Sequence, residues 1–250
     1  MKLSLCLNSA TGDYSRTEAM EYAKKLGYSA VEFWEGKDFD VEAYKNTLAK
    51  TGLTLASMGY GSGLVDPATR EEFLEDIKIS LANAQILGAK TIIATTGQEL
   101  EGVPREQQHK SIVEGLKEAA KVVAGTGITI VIEPLNVLVN HKGYYLYSSI
   151  EAFDIIKEVG SPDVKVLFDI YHQQISEGQL IDNITNNIDL IGHFHAAGNP
   201  GRAEPYFGEI NYYEVFKAID ETGYKGYVGL EFWPKGDVEE ALKKCLELYE

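Results

Sequence analysis

Residues 163–171 read Asp-Val-Lys-Val-Leu-Phe-Asp-Ile-Tyr, a stretch in which a short β-branched and apolar run ends on the carboxylate of Asp169. A short run of this composition is typical of a buried β-strand. Three further apolar runs also end on a side chain that can bind a metal: Ile128–Glu133, Leu190–His195 and Tyr227–Glu231. Any fold predicted for the chain must explain why four strand-like segments finish in this way.

Similar runs recur along the whole chain and alternate with segments of helical spacing. In Arg16–Leu26, for example, the apolar residues fall on one helical face, and Gly27 follows as a stop signal. Strands are predicted at Leu3–Asn8, Ala30–Trp34, Leu53–Met58, Lys90–Thr95, Ile128–Glu133, Val164–Asp169, Leu190–His195 and Gly226–Phe232. A helix is predicted after each strand, and the last of these helices is Asp237–Tyr249.

Eight strand-then-helix units without a linker or a shift in composition indicate parallel strands joined by helical crossovers. Eight such units close a (β/α)8 barrel, and the 250 residues match the ~250 that are typical of that fold. A doubly wound open sheet would more often have a glycine-rich phosphate loop after its first strand, and Asn8–Asp13 is not such a loop. We therefore predict an α/β fold, a (β/α)8 TIM barrel, as a single domain over residues 1–250.

Composition and charge restrict the partners of the protein. Hydrophobic residues make up 44% of the chain and charged residues 24%, which is enough apolar material for a sizeable core. The 38 acidic and 23 basic residues give a formal net charge of -15. An acidic surface repels phosphate backbones and anionic membranes, so we expect neither nucleic acid nor a membrane as partner.

The cellular compartment of the protein is predicted from features near the start of the chain, from the length of its apolar stretches and from its cysteines. Met1–Leu7 is only a short apolar run without a small-residue cleavage site, and no apolar stretch is long enough to span a bilayer. The two cysteines, Cys6 and Cys245, do not form a disulfide framework or a cysteine-based zinc site. We expect a cytoplasmic protein, and the sequence leaves a homo-oligomer open.

The C-terminal ends of strands five to eight are predicted to form a metal site. They end on Glu133, Asp169, His195 and Glu231. In a barrel these neighbouring ends lie at one mouth, so the four side chains can converge. Three buried carboxylates would repel one another, and a divalent cation removes that cost. The oxygen-rich set suits Mn²⁺ or Mg²⁺; Co²⁺ also fits, and Zn²⁺ less well. A single acid at such a position is often only a helix cap, but four at matching positions favour a metal.

Three further side chains lie near these strand ends. His193 precedes His195 by two residues and is predicted to be a hydrogen-bonded interior histidine. His172, in the predicted loop after strand six, is expected to contact substrate or donate a proton at the pocket edge, with a structural loop histidine as the alternative. Arg202 could bind a substrate carboxylate or hydroxyl, or it could pair with Glu204; the sequence favours neither.

Several motifs resemble signatures of the xylose-isomerase-like TIM-barrel superfamily, and within it the chain is most similar to hydroxypyruvate isomerases. The motifs are Ile132–Asn136, Phe168–Gln173, His193–His195, Pro200–Pro205, Gly208–Tyr212 and Gly229–Phe232. The resemblance covers nearly the whole chain and is densest from Ile128 to Pro234. It is specific for the superfamily and the metal site, and much less so for the substrate.

The resemblance implies roles for the residues at these positions. It implies that Glu133, Asp169, His195 and Glu231 bind one divalent metal, and that Glu133 and Glu231 exchange protons with the substrate. His172 and Arg202 match positions that contact substrate in ketose 3-epimerases. Many hydroxypyruvate isomerases have a glutamine where His195 stands, whereas the epimerases have histidine, so His195 keeps the epimerase interpretation open.

The function that these observations favour is a metal-dependent isomerase acting on a small hydroxycarbonyl acid or sugar. It would interconvert hydroxypyruvate and tartronate semialdehyde through an enediolate. A ketose 3-epimerase, a sugar dehydratase and a metal-dependent sugar-binding protein without turnover are the alternatives. The AP endonucleases of the same superfamily fit poorly, because the chain is strongly acidic and has too few histidines near strand ends for a multi-metal cluster.

Overall fold

The computed structural model describes residues 1–248, apart from the side chain of Tyr60, and they form a barrel of parallel strands. This part of the chain contains nine strands: β1 (Lys2–Cys6), β2 (Ala30–Glu32), β3 (Thr54–Leu55), β4 (Ser57–Gly61), β5 (Thr91–Ala94), β6 (Thr129–Ile132), β7 (Val164–Asp169), β8 (Ile191–Ala196) and β9 (Tyr227–Leu230). The predicted (β/α)8 barrel is confirmed.

One broken strand closes the barrel. The strands are hydrogen-bonded in the order β3-β2-β1-β9-β8-β7-β6-β5-β4, so β3 and β4 lie at the two ends of the sheet. Only Ala56 separates β3 from β4, and its N–H donates to the carbonyl oxygen of Val31 at 2.8 Å. The predicted third strand, Leu53–Met58, is therefore two short strands that pair with neighbours on opposite sides.

Helices accompany the strands. Within residues 1–248 they are α1 (Leu7–Ala10), α2 (Arg16–Leu26), α3 (Val41–Thr51), α4 (Arg70–Leu87), α5 (Arg105–Val123), α6 (Ser149–Val159), α7 (Ile170–Ser176), α8 (Leu180–Asn186), α9 (Tyr212–Glu221) and α10 (Val238–Glu247), with 3₁₀ turns at Pro67–Thr69 and Ile188–Leu190. Ser15 starts α2 with a capping box that includes Glu18, and Gly27 ends it with φ of 105°. None of the helices in the described region is long and apolar enough to cross a membrane.

Apart from shifts of one residue, two of the helices differ from those predicted. Helix α7 begins directly after β7, where a loop is predicted, because the Asp169 side chain caps its first turn. The last helix ends at Glu247 rather than at Tyr249, and Tyr249 itself lies outside the described residues. The first of these differences changes the surroundings of His172.

The buried residues of the strands include a small apolar cluster and a polar pair. Ile93, Val131 and Leu167, on β5 to β7, pack as a small cluster separate from the main core. On the opposite side of the barrel, Ser4 and Glu32 are buried and hydrogen-bonded to each other. Buried polar groups are stable only when they are paired, so this polar side marks a region with specific contacts.

Candidate metal centre

Four buried side chains meet at the C-terminal mouth of the barrel: Glu133, Asp169, His195 and Glu231. Each offers one ligand atom, and these atoms all lie within 4.8 Å of one another. Nδ1 of His195 lies 3.4 Å from Oε1 of Glu133 and 3.3 Å from Oε2 of Glu231. The structure thus brings together the residues predicted to bind a metal, and their role as ligands remains a prediction.

The strand register places these four residues at one level. Asp169 is paired with His195 between β7 and β8. Glu133 and Glu231 follow the last residues of β6 and β9 and continue the ladder: their N–H groups donate to the carbonyl oxygens of Ala94 (3.2 Å) and Ala196 (3.1 Å). The neighbouring strand ends therefore project the four side chains toward a common point.

The cluster has unsatisfied polar atoms of the kind that a metal would satisfy. Oε1 of Glu133, Oδ2 of Asp169 and Nδ1 of His195 have no hydrogen-bond partner among the described residues. A buried polar atom left in this state costs about 1–3 kcal/mol. Ligand atoms at neighbouring corners of an octahedron with bonds of ~2.1 Å lie roughly 3 Å apart. The distances of 3.4 and 3.3 Å from Nδ1 of His195 to Glu133 and Glu231 are close to this value. The donor set therefore fits a hard divalent cation.

Asp169 serves both the cluster and the helix that follows. Its Oδ1 accepts the N–H groups of Tyr171 (2.8 Å) and His172 (3.2 Å), so Oδ2 is left for the cluster. Burial raises the pKa of Asp169 to about 7, although the nearby charge of Arg202 lowers it in part. Since the ionised form of Asp169 is disfavoured by burial, a cation beside Oδ2 would stabilise it.

Two other members of the cluster have shifted pKa values. Burial alone would raise the pKa of Glu231, but the charges of Arg202 and His195 outweigh it and hold the pKa well below its usual range. Burial alone would lower the pKa of His195, but the carboxylates of Glu231 and Glu32 outweigh it and hold the pKa well above its usual value. The charged forms of Glu231 and His195 are thus favoured, whereas the ionised form of Asp169 is disfavoured.

Arg202 faces this cluster. Its guanidinium forms an ion pair with Glu231 and lies 3.6 Å from Oδ2 of Asp169. Of the two sequence alternatives, pairing with Glu204 is not observed, since Glu204 accepts the backbone N–H of Lys235 at 3.0 Å. Arg202 also has a left-handed backbone with φ of 53°, a conformation that costs a residue with a side chain roughly 1–3 kcal/mol.

His172 lies in a different environment from the one predicted. The loop position at the pocket edge is wrong, because His172 belongs to α7 and is fully buried. Its Nδ1 accepts the backbone N–H of Asn136 at 3.2 Å, and its Nε2 lies 3.6 Å from Oδ2 of Asp169. Burial, reinforced by the charge of Arg202, holds the pKa of His172 well below its usual value, so the ring is neutral. A substrate contact by His172 remains a prediction.

A cavity of about 570 Å³ opens onto the cluster. Its wall includes Glu133, Glu231 and Trp34, whose indole N–H donates to Oε1 of Glu231 at 2.8 Å. Among the described residues that line it, Arg202 is the only arginine or lysine. The cavity therefore combines space for a small molecule with carboxylates and a single permanent cation.

Glu32 is a buried residue beside the cluster that the sequence interpretation missed. Its Oε2 accepts the hydroxyl of Ser4 at 2.6 Å and lies 3.0 Å from Nε2 of His193, so the predicted hydrogen-bonded interior histidine is confirmed. Its Oε1 lies 2.8 Å from Nε2 of His195. Burial alone would raise the pKa of Glu32, but the two histidines lower it to about 2. An acidic residue inside the apolar run Ala30–Trp34 was the available sequence signal.

The fold and the site define a TIM-barrel protein with a candidate divalent-metal centre at the C-terminal mouth. The family model described as xylose isomerase-like TIM barrel matches residues 20–249. The chain belongs to this family, as its motifs predicted.

Curated relatives and solved structures match nearly the full length of the chain. Hydroxypyruvate isomerase of Escherichia coli (strain K12) is 34% identical over 252 residues, with 97% of each chain covered. A 2-oxo-tetronate isomerase of Cupriavidus necator is 32% identical over 225 residues, with 86% of each chain covered. The crystal structure of an AP endonuclease, family 2, from Brucella melitensis superposes with a TM-score of 0.90, at 30% identity and with 97% of each chain covered.

Proposed function

We propose that this protein is a metal-dependent isomerase that interconverts hydroxypyruvate and tartronate semialdehyde. It is an isomerase, because relatives that are named isomerases match it over most of their length. The observation that carries the rest is the site itself, where two glutamates, an aspartate and a histidine converge beside a small cavity. The substrate, the metal and the role of each residue are our proposal.

Glu133 and Glu231 are the proposed acid–base pair. When bound, Mn²⁺ or Mg²⁺ would polarise the substrate carbonyl and stabilise the negative charge that develops beside it. One glutamate removes a proton from the carbon that bears the hydroxyl group, and a glutamate returns a proton to the neighbouring carbon. The proton of the hydroxyl group passes to the former carbonyl oxygen, so that the carbonyl and hydroxyl groups exchange places. Both carboxylates line the cavity, and the low pKa of Glu231, which is paired with Arg202, keeps that residue ionised.

Arg202 is the proposed anchor for the acid group of the substrate. It is the only arginine or lysine among the described lining residues, and its Nε–H, which has no hydrogen-bond partner within residues 1–248, can donate to a substrate carboxylate while the guanidinium stays paired with Glu231. A single cation beside three carboxylates suits a monoanionic acid better than a sugar phosphate, which carries nearly two negative charges. The cavity of about 570 Å³ also has room for the four-carbon hydroxy-oxo acid named in the 2-oxo-tetronate isomerase.

Epimerisation is the second candidate. The same pair of glutamates could return the proton to the carbon from which it came, which would invert a hydroxyl-bearing centre of a ketose. The residue that favours epimerisation is His195. Many hydroxypyruvate isomerases have glutamine at this position, whereas the ketose 3-epimerases have histidine. Cleavage of DNA is disfavoured despite the Brucella structure, because a net charge of -15 repels a phosphate backbone.

A substrate panel followed by proton NMR in D₂O tests this proposal. Mg²⁺-loaded protein is given hydroxypyruvate, 2-oxo-tetronate or one of several ketoses in separate tubes, with Glu101→Gln as an exposed-residue control. We expect tartronate semialdehyde from hydroxypyruvate. A ketose that changes configuration at C3 while hydroxypyruvate stays intact would support the epimerase instead. No change in any tube would contradict both functions.

A further inference from the structure

Glu32 is a buried carboxylate that the proposed chemistry does not use. It ends β2 and is only 1% exposed. Its Oε2 accepts the hydroxyl of Ser4 at 2.6 Å and lies 3.0 Å from Nε2 of His193. Two fixed donors therefore hold this carboxylate in one orientation, which leaves its Oε1 for a third contact.

That third contact is with His195. Its Nε2 lies 2.8 Å from Oε1 of Glu32, whereas its Nδ1 lies 3.4 Å from Glu133 and 3.3 Å from Glu231. Within residues 1–248, neither Oε1 of Glu32 nor Nε2 of His195 has a hydrogen-bond partner of good geometry. Their short mutual contact is the one that can satisfy both buried atoms.

Gly229 provides the space for this contact. It lies opposite His195 in the pairing of β8 with β9. A Cβ atom at Gly229 would come within 2.1 Å of Oε1 and 2.7 Å of Oε2 of Glu32, too close for either oxygen. The backbone there is not left-handed, so its conformation does not require glycine. The missing side chain therefore opens a niche that the Glu32 carboxylate fills.

We propose that Glu32 is a positioning residue that, from the niche opened by Gly229, fixes the imidazole of His195 so that Nδ1 faces the carboxylate cluster. A histidine that binds a metal usually donates its other N–H to a carboxylate or carbonyl, which sets the ring orientation and the nitrogen that binds. The effect of Glu32 on metal binding rests on the proposed function. The orientation of the His195 ring does not, because it can be observed in the metal-free protein.

Two variants test the inference from different directions. In Glu32→Gln, the amide offers one acceptor oxygen and a donor NH₂, so it cannot accept from both histidines. In Gly229→Ala, the charge of Glu32 is kept but its carboxylate is displaced. The matched controls are Glu35→Gln, which alters a partly exposed glutamate paired with Arg16, and Gly236→Ala, where a Cβ meets nothing within 4 Å.

Isothermal titration with Mn²⁺ alone and crystal structures of the metal-free proteins provide the readouts. We expect each test variant to bind Mn²⁺ about 10–100-fold more weakly than wild type, with a rotated His195 ring, and the controls to bind normally. Thermal unfolding shows which variants fold, and one folded test variant is enough to test the inference.

The outcomes separate this inference from the proposed function. If wild type binds Mn²⁺ and a folded test variant binds it equally well with His195 unmoved, the positioning role is overturned and the metal site stands. If wild type binds no Mn²⁺ but the ring rotates in the variants, the positioning role stands and the metal site fails. A second Mn²⁺ bound between Glu32 and His193 would overturn the inference by making Glu32 a ligand.

Discussion

Replacing Asp169 by asparagine should stabilise the metal-free protein while it removes metal binding. Asparagine keeps an oxygen that can accept the N–H groups of Tyr171 and His172, so the start of α7 is preserved. It replaces Oδ2, the unpaired atom that faces the cluster, by an NH₂ group that cannot bind a cation. One substitution therefore separates the stability of the barrel from its metal affinity.

The magnitude follows from the pKa of Asp169. That pKa is raised from 3.8 to about 7 in the folded protein, so folding favours the protonated form of this group. Its stabilising contribution is fully present below the unfolded pKa and is lost as pH rises through the folded pKa. Linkage gives a penalty of about 4 kcal/mol at pH 8 and about 2 kcal/mol at pH 5, and the neutral asparagine avoids it.

Urea unfolding of the metal-free proteins at pH 8 and pH 5 measures this effect. We expect Asp169→Asn to be more stable than wild type at pH 8, by at most about 4 kcal/mol, and by a smaller margin at pH 5. The exposed Asp189→Asn is the control and should show neither difference. A variant no more stable than wild type at pH 8, or a margin that does not shrink with falling pH, would refute the reasoning.

Three further predictions concern the same site. Glu133→Gln and Glu231→Gln should each lower the turnover of hydroxypyruvate by about 10²–10⁴-fold with the fold retained, because each removes a proposed proton acceptor; steady-state kinetics and circular dichroism check both parts. Arg202→Lys should raise KM for hydroxypyruvate about tenfold and change KM for a neutral hydroxycarbonyl compound little, because lysine keeps the charge but loses the bidentate fork. Mn²⁺ affinity should fall as pH drops below about 7, because the metal must displace protons from Asp169, whose pKa is about 7, and from His195, whose pKa is raised. Calorimetry in buffers of different ionisation enthalpy counts the protons released.

Each of these predictions has a result that would contradict it. Near-normal turnover in either glutamine variant would remove that glutamate from the proposed acid–base pair. An equal rise in KM for acid and neutral substrates would mean that Arg202 shapes the cavity without anchoring an acid group. Mn²⁺ affinity that stays constant from pH 8 to pH 5 would show that the metal binds elsewhere.

The barrel and the convergence of the four strand-end residues could be predicted because both depend on local patterns. A short apolar run predicts a strand, and parallel strands in a closed barrel place their C-terminal ends together. Glu133 and Glu231 lie one residue beyond β6 and β9, and this small boundary difference does not move them from the mouth. The family was predictable for the same reason, since its motifs lie at these strand ends.

Features that depend on contacts distant in sequence were not predictable. Glu32 on β2 contacts His195 on β8 across the two strands between them, β1 and β9. This contact depends on the hydroxyl of Ser4 and on the absence of a side chain at Gly229. No spacing in the sequence relates residues so far apart. Helix α7 was missed because it begins directly at the end of β7, where Asp169 has a second role as its cap that the strand pattern does not show.

The most direct test of the proposed function compares one protein in three states by proton NMR with hydroxypyruvate in D₂O: as purified with Mg²⁺, after chelation, and after Mg²⁺ is restored. We predict that tartronate semialdehyde forms in the first and third states and that chelation lowers its rate to near background while the protein stays folded. Equal rates before and after complete removal of the metal would contradict a metal-dependent isomerase at this site.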